Sequence, residues 1–374
     1  MSIAYRELFL LNMEGIHNME QPSAITIIDK LGDENFEGPT PYDITSYGSD
    51  MPVDGIVKRL NNNSIFIPSF QRSFVWTLKQ ATRFVESLLL GLPVPGIFLS
   101  KESSTQKYLV IDGQQRLRTL QFFYNGIFEP NSKEFVLKGV QKQFENCSYR
   151  TLSEQDQLRL DNSILHATIV QQEHPANDDS SIYYIFERLN TGGTPLQPQE
   201  IRSSVYHGAL NDMTKLLNEN QAWRLVLGIP SRRLKDQELI LRFFALYFGY
   251  NTYTKPMREF LNRYMMVNRD VTPIEEKSLS SIFESTIEFL QECIGTVLFK
   301  PTRGLNAAVY DSIMVATAQR LSFGKIIDKH AFHHAYDSLL QGDLFMKLTS
   351  TSTADEANVK QRISMAIKAF EVIE

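Results

Sequence analysis

KYLVIDGQQRLRTLQFFYNGIF, residues 107–128, is the stretch on which the architecture turns. Its first half, KYLVID, is an apolar run with no helical spacing and reads as a strand. At Gly113 the period changes from two to 3.6, and Leu117, Leu120, Tyr124 and Ile127 fall on one helical face. Gly126 loosens the end of that helix. Upstream, IFLS (97–100) and KYLVID (107–112), separated by polar SSTQ, predict a pair of strands. LKQATRFVESLLLG, with apolar residues at 78, 81, 84, 85, 88 and 89, predicts a helix capped by Thr77 and closed by Gly91 and LPVP. VDGIVKRLNNN (53–63) predicts a short amphipathic helix, and IFIP (65–68) a strand stopped by Pro68.

Downstream, SILHATIVQQ (163–172) is a further strand candidate. SIYYIFERL (181–189) and QPQEIRSSVYHG read as helices flanking the loop NTGGTPL. From residue 210 onward no strand pattern stands out, and four segments show i, i+3, i+4 spacing: DQELILRFFALYFG, IEEKSLSSIFESTIEFLQECIG, NAAVYDSIMVATAQRL and NVKQRISMAIKAFEVI. The expected class is α+β: a small α/β domain over 51–208, then a mostly α-helical domain over 209–374. Residues 1–50, rich in Gly, Pro, Asp and Ser, are expected to form an acidic, partly ordered arm.

Composition narrows the function. The 374 residues are 43% apolar and 22% charged, ordinary for a chain that buries a core. Cys147 and Cys293 stand alone, which argues against zinc ribbons and disulfide scaffolds and fits a reducing cytoplasm. The most apolar runs are interrupted by Glu86 and Arg242 and break at Gly or Pro, so no membrane span is expected. LFLLNM is too short and too acid-flanked for a signal peptide. The net charge of −5 hides an asymmetry: residues 1–50 carry −7, and residues 223–263 carry +5, with Arg232, Arg233, Lys235, Arg258 and Arg263 among the bases. Such a segment is either a solvated helical surface or a weak, salt-sensitive phosphate contact.

Three polar clusters carry chemistry. The densest is Asp112-Gly113-Gln114-Gln115-Arg116, at the junction of strand and helix. A helix start offers backbone N–H groups and a positive dipole end to an anion, and Gly113 lets a ligand approach the backbone. Arg116 adds a bidentate donor suited to phosphate, and Asp112 is suited to a Mg²⁺ ion or a water. The alternative is that Asp112 only caps the helix. In IPSFQRSFVW (67–76), Gln71 and Arg72 lie between apolar Phe70, Phe74 and Trp76. The polar pair either faces a ligand or latches the loop, while the aromatics belong to the core. In FERLNTGGT (186–194), Asn190 and the glycines either wrap a ligand or cap a helix. His330, His333 and His334 lack a metal-ligand pattern and read as helix surface. P-loop, GxGxxG, HExxH and GxSxG motifs do not occur.

IPSFQRSFVW, ESLLLGLPVPGIFL, LVIDGQQRLRTL and IFERLNTGGTPLQPQEIR, in this order, resemble the DGQQR family. This is a ParB/sulfiredoxin-like domain found in the N-terminal half of GmrSD-type modification-dependent restriction proteins and in SspE-like phage-defence proteins. The resemblance covers about residues 40–270 and is to the short stand-alone members, because no His…Asn…His array follows residue 270. It implies a nucleotide-binding, nucleotide-hydrolysing regulatory domain used against phage DNA, with an NTP and Mg²⁺ as cofactors. Carried onto this chain, the NTP site is Asp112, Gly113, Gln114, Gln115 and Arg116. Asp112, Gln115 and Arg116 take the catalytic roles, and Asp112 that of metal ligand. Gln71 and Arg72 would border the pocket, with Asn190 and Thr191 closing it. The implied partners are the nucleotide, DNA and a separately encoded nuclease. Against this enzyme stands a DNA- or partner-binding regulator, antitoxin-like, whose pocket binds without turnover. Direct DNA cleavage is disfavoured, since no carboxylate cluster for two metals is present.

Overall fold

A computed structural model describes residues 27–28, 43–68, 74–102, 105–174, 180–189, 196–301 and 304–374. The described residues fall into two units, one within 35–211 and 262–270, the other within 1–34, 212–261 and 271–374. The chain is α+β: a mixed sheet in its N-terminal part, mostly helix thereafter.

In the first unit, strands β1 (Asp43–Pro52), β2 (Ile65–Phe66), β3 (Ile97–Lys101), β4 (Tyr108–Asp112) and β5 (Ile164–His174) form one sheet, in the order β1-β5-β3-β4-β2. β3 runs antiparallel to β4 and parallel to β5, while β1 runs antiparallel to β5. Helices α1 (Val53–Asn61), α2 (Leu78–Leu89), α3 (Gln114–Asn125) and α4 (Glu154–Asp161) supply the apolar layer on one face. Val53, Ile56, Val85, Leu117 and Leu120 there meet Ile97, Leu99, Val110, Leu165 and Ala167, all buried. Each Val, Leu or Ile among them contributes about 1.5–3 kcal/mol by leaving water. Leu109, Ile111 and Val170 are buried outside that layer; α5 (Ser180–Leu189) packs against β4, and α6 (Pro198–Val205) follows it.

The local signals were accurate. Thr77 caps α2 through a reciprocal pair, accepting from Gln80 N at 3.3 Å while Gln80 Oε1 accepts from Thr77 N at 2.9 Å. Phe74 meets Phe122 edge-on at 5.1 Å and Trp76 meets Phe84 at 5.7 Å, so both aromatics are core. Phe70 lies outside the described residues.

Two expectations are corrected. Residues 43–50, assigned to the arm, belong to β1, the edge of the main sheet. Their side chains are mostly exposed on both faces, so no apolar alternation marks the strand; pairing with β5 makes it. Ile127, placed on the buried face of α3, is 52% exposed, because Gly126 takes a left-handed φ of 82° and ends the helix one residue earlier. Tyr124 is part-buried instead: its ring stacks on Tyr149 at 4.1 Å, and both hydroxyls donate to Asp161. Burial, then the Asp161 contact, pushes the Tyr149 hydroxyl up to about 12.

At the β3–β4 turn, Glu102 Oε1 accepts from Arg269 Nη2 at 2.6 Å, and Arg269 Nε donates to the His207 carbonyl at 2.7 Å. Burial raises the Glu102 carboxyl, but the Thr105 hydroxyl and the Arg269 guanidinium outweigh it and hold the group below its ordinary value.

After α7 (Ala209–Leu217), α8 (Gln221–Leu227), α9 (Lys235–Gly249), α10 (Met257–Val267) and α11 (Pro273–Ile294) come α12 (Ala307–Ser322), α13 (Lys329–Gln341), α14 (Asp343–Leu348) and α15 (Glu356–Phe370). Among the described residues, the one strand beyond 210 is Leu305–Asn306, paired parallel with Ile27–Ile28. In the second unit α12 is buried on every side from Ala307 to Ala318. Its Asp311 receives Arg242 of α9 at 2.6 Å and Arg362 of α15 at 3.1 Å, all three fully buried. Arg242 is therefore a core ion-pair partner within an apolar run, and Arg224 likewise pairs with buried Asp236 at 3.1 Å. These two of the eight bases in the +5 segment are drawn into ion pairs and away from its surface. His330, His333 and His334 lie exposed on α13.

Candidate functional site

The site forms where β4 hands over to α3. Gly113 is the N-cap of α3, with φ 102° and ψ 8°, a left-handed conformation that favours glycine. A Cβ there would sit 2.4 Å from Ile97 Cγ2, so the position is closed to any side chain. A left-handed residue followed by right-handed helix turns successive backbone N–H groups toward one point, a concavity that suits an anion. The dipole of α3 adds to it.

The side chains meet as follows. Arg116, one turn into α3, donates from Nη2 to Asp112 Oδ2 at 3.0 Å and to the Gly96 carbonyl at 2.8 Å. Its Nε is buried with no partner among the described residues. Gly113, as N-cap, has no side chain to cap with, and the half-exposed Asp112 carboxylate before it bonds Arg116. Gln115 Oε1 accepts from Val75 N at 3.0 Å and Trp76 N at 3.3 Å. It thereby tethers the segment that follows Gln71 and Arg72. Gln114 is buried at the helix start. The turn thus brings Asp112, Gly113, Gln114, Gln115 and Arg116 together. Gln71, Arg72, Asn190 and Thr191 lie outside the described residues.

Two features escaped the sequence reading. The first is a row across the strands. His166 Nδ1 lies 2.8 Å from Asp50 Oδ1, and a Cβ on Gly96 would come within 2.7 Å of the His166 carbonyl. Gly96 is therefore held against β5 while its own carbonyl anchors Arg116. The glycine in LPVPG was the signal. The second is α6, buried at every residue but Pro198 although most of them are polar. Arg202 Nε donates to Asn262 Oδ1 at 2.9 Å and Nη1 to Gln199 Oε1, while Gln197 N donates to Glu200 Oε2 at 2.6 Å. A helix polar on all faces between apolar ones was its trace in sequence.

What the turn offers a nucleotide is the buried, partnerless Arg116 Nε beside the left-handed Gly113 that opens α3. For Mg²⁺ the Asp112–Arg116 turn offers one exposed carboxylate, Asp112, which suits an ion held mainly by phosphates and waters. No helix of the described residues is long and apolar enough to cross a membrane.

An uncharacterized protein of Methanocaldococcus jannaschii is 29% identical over 153 residues, covering 34% of this chain and 25% of that protein. The chain thus spans about a quarter of the length of the curated relative it matches. Residues 53–207 match the family model of the GmrSD restriction endonuclease, N-terminal domain, and this segment, which carries the Asp112–Arg116 turn, is what the chain shares with that family.

Proposed function

We propose that the first unit is a ParB/sulfiredoxin-like nucleotide-binding and nucleotide-hydrolysing regulator within a restriction or phage-defence system, acting with a separately encoded nuclease. The observation that carries this is Arg116, anchored on the Gly96 carbonyl beside the Gly113 turn with its Nε unmatched. A phosphate placed over Gly113 meets backbone N–H groups and this guanidinium together. Mg²⁺, when bound, would neutralise phosphate charge and polarise the phosphoryl oxygens. In this reading Asp112 orients that ion or a water once Arg116 turns to the phosphate. Gln115 fixes the 74–76 segment. The resemblance would have Gln71 and Arg72 border the pocket and Asn190 and Thr191 close it.

The test is phosphate release from each NTP with Mg²⁺, with and without DNA. Turnover of at least one NTP supports the reading. Neither binding nor turnover under any condition would replace it with a second: a binding module, antitoxin-like, contacting DNA or a partner without chemistry. One observation favours that second reading, namely that Asp112 and Arg116 Nη2 are already bonded to each other without a ligand.

A further inference from the structure

Strand β1 occupies one edge of the five-stranded sheet. Its ten residues pair with β5 along one side, and on the other side no described residue pairs with it. Edge strands of this kind are normally kept short or blunted by Lys, Pro or a bulge. From Asp43 to Met51 there is no Lys, Arg or Pro, and the single register irregularity lies at the very start, between Asp43 and Ile44. The middle, ITSYGS, carries no charge, and its side chains are exposed on both faces apart from part-buried Ile44 and Ser49. The ribbon therefore presents an unblunted row of backbone donors and acceptors.

We infer that β1 pairs antiparallel with β1 of a second copy of this chain, about a two-fold axis at Tyr47, joining two sheets into one of ten strands. An axis that joins two edges antiparallel stands perpendicular to the sheet, so residues facing each other across it share a face. Only registers centred on a residue satisfy this. With Tyr47 at the centre, all of 43–51 pairs: Asp43 faces Met51, Ile44 faces Asp50, Thr45 faces Ser49 and Ser46 faces Gly48. Both carboxylates then face uncharged residues, and Asp50 is in addition matched by its own His166 at 2.8 Å. Centring on Gly48 would draw in Pro52, which has no N–H, and Val53, where α1 begins. Tyr47, 40% exposed and with its hydroxyl toward Tyr108, then meets its own copy across the axis at the backbone and Cβ. Ten strands remain within what a twisted open sheet tolerates.

The test is the mass of the full chain by light scattering over a concentration series. A dimer is expected, and Tyr47→Lys, which sets two like charges side by side on the axis, should weaken it at least tenfold without lowering the melting temperature. Register is read separately by oxidation in a Cys147→Ser, Cys293→Ser background. Tyr47→Cys should cross-link to itself, whereas Ile44→Cys, whose copy lies about 20 Å away at 3.4 Å per residue, should not. A monomer at the highest soluble concentration would overturn the inference. So would a dimer indifferent to Tyr47→Lys, or equal cross-linking at both positions. None of these outcomes depends on whether a nucleotide is bound.

Discussion

The Asp112 carboxylate and the Arg116 guanidinium, one turn apart at the start of α3, are bonded at 3.0 Å. The acid thus competes with any phosphate for the same base. Asp112→Asn removes the competitor's charge, so metal-free nucleotide binding should hold or tighten while turnover falls. Arg116→Ala should weaken binding by about 1.5–3 kcal/mol, the range for a lost charged hydrogen bond. Because the Asp112 carboxylate is half exposed, Asp112→Asn should cost at most about 1 kcal/mol of stability. Calorimetric binding, phosphate release and thermal melts of both variants check this. Unchanged hydrolysis by Asp112→Asn removes Asp112 from catalysis.

Gln115 is a tether, and its acceptor oxygen is what matters to Val75 and Trp76. Gln115→Leu should release both N–H groups to water, at about 0.5–1.5 kcal/mol for each lost hydrogen bond. Gln115→Glu keeps the acceptor and should preserve the segment. Amide exchange at residues 75 and 76 separates the two: fast in the Leu variant, protected in the Glu variant. Equal protection in both would show the segment holds without Gln115.

In the second unit two buried guanidiniums share one carboxylate. Removing Asp311 leaves both cations unpaired, so Asp311→Asn should destabilise by about 3–5 kcal/mol. Arg362→Met leaves Arg242 and Asp311 as a neutral pair and should cost less. Denaturant melts of the two variants give the order, and a reversed order would refute this account.

Glu102 is held below its ordinary carboxyl value of 4.5. A depressed folded value means stability that is present above the unfolded value and lost as pH falls through the folded one. Wild type should therefore exceed Glu102→Gln in stability at neutral pH, by about 1.5–3 kcal/mol for a charged hydrogen bond. The gap should narrow as pH drops below about 4.5, the ordinary value. A gap independent of pH would mean that the Arg269 contact carries no charge effect.

Much of the fold was legible because its signals are local. The change of period at Gly113, the Thr77–Gln80 box and the Thr272–Glu275 box that starts α11 each join residues within one helical turn. The site was legible as a motif for the same reason: Asp112 to Arg116 is five consecutive residues. What each side chain does there was not, since the partners of Arg116 and Gln115 come from Gly96 and from residues 75–76.

By itself the sequence determined where helices and inner strands form, through the spacing of apolar residues and the capping chemistry beside them. Tertiary structure alone decided that Asp43–Pro52 is a strand, since its ladder partner lies more than a hundred residues away and its exposed side chains carry no period. It alone decided that Arg242 pairs with Asp311, 69 residues on. It also decided that Asp112 answers to Arg116. A buried charge or an edge strand takes its role from whatever the fold brings beside it, and that neighbour is not encoded in the residues next to it in the chain.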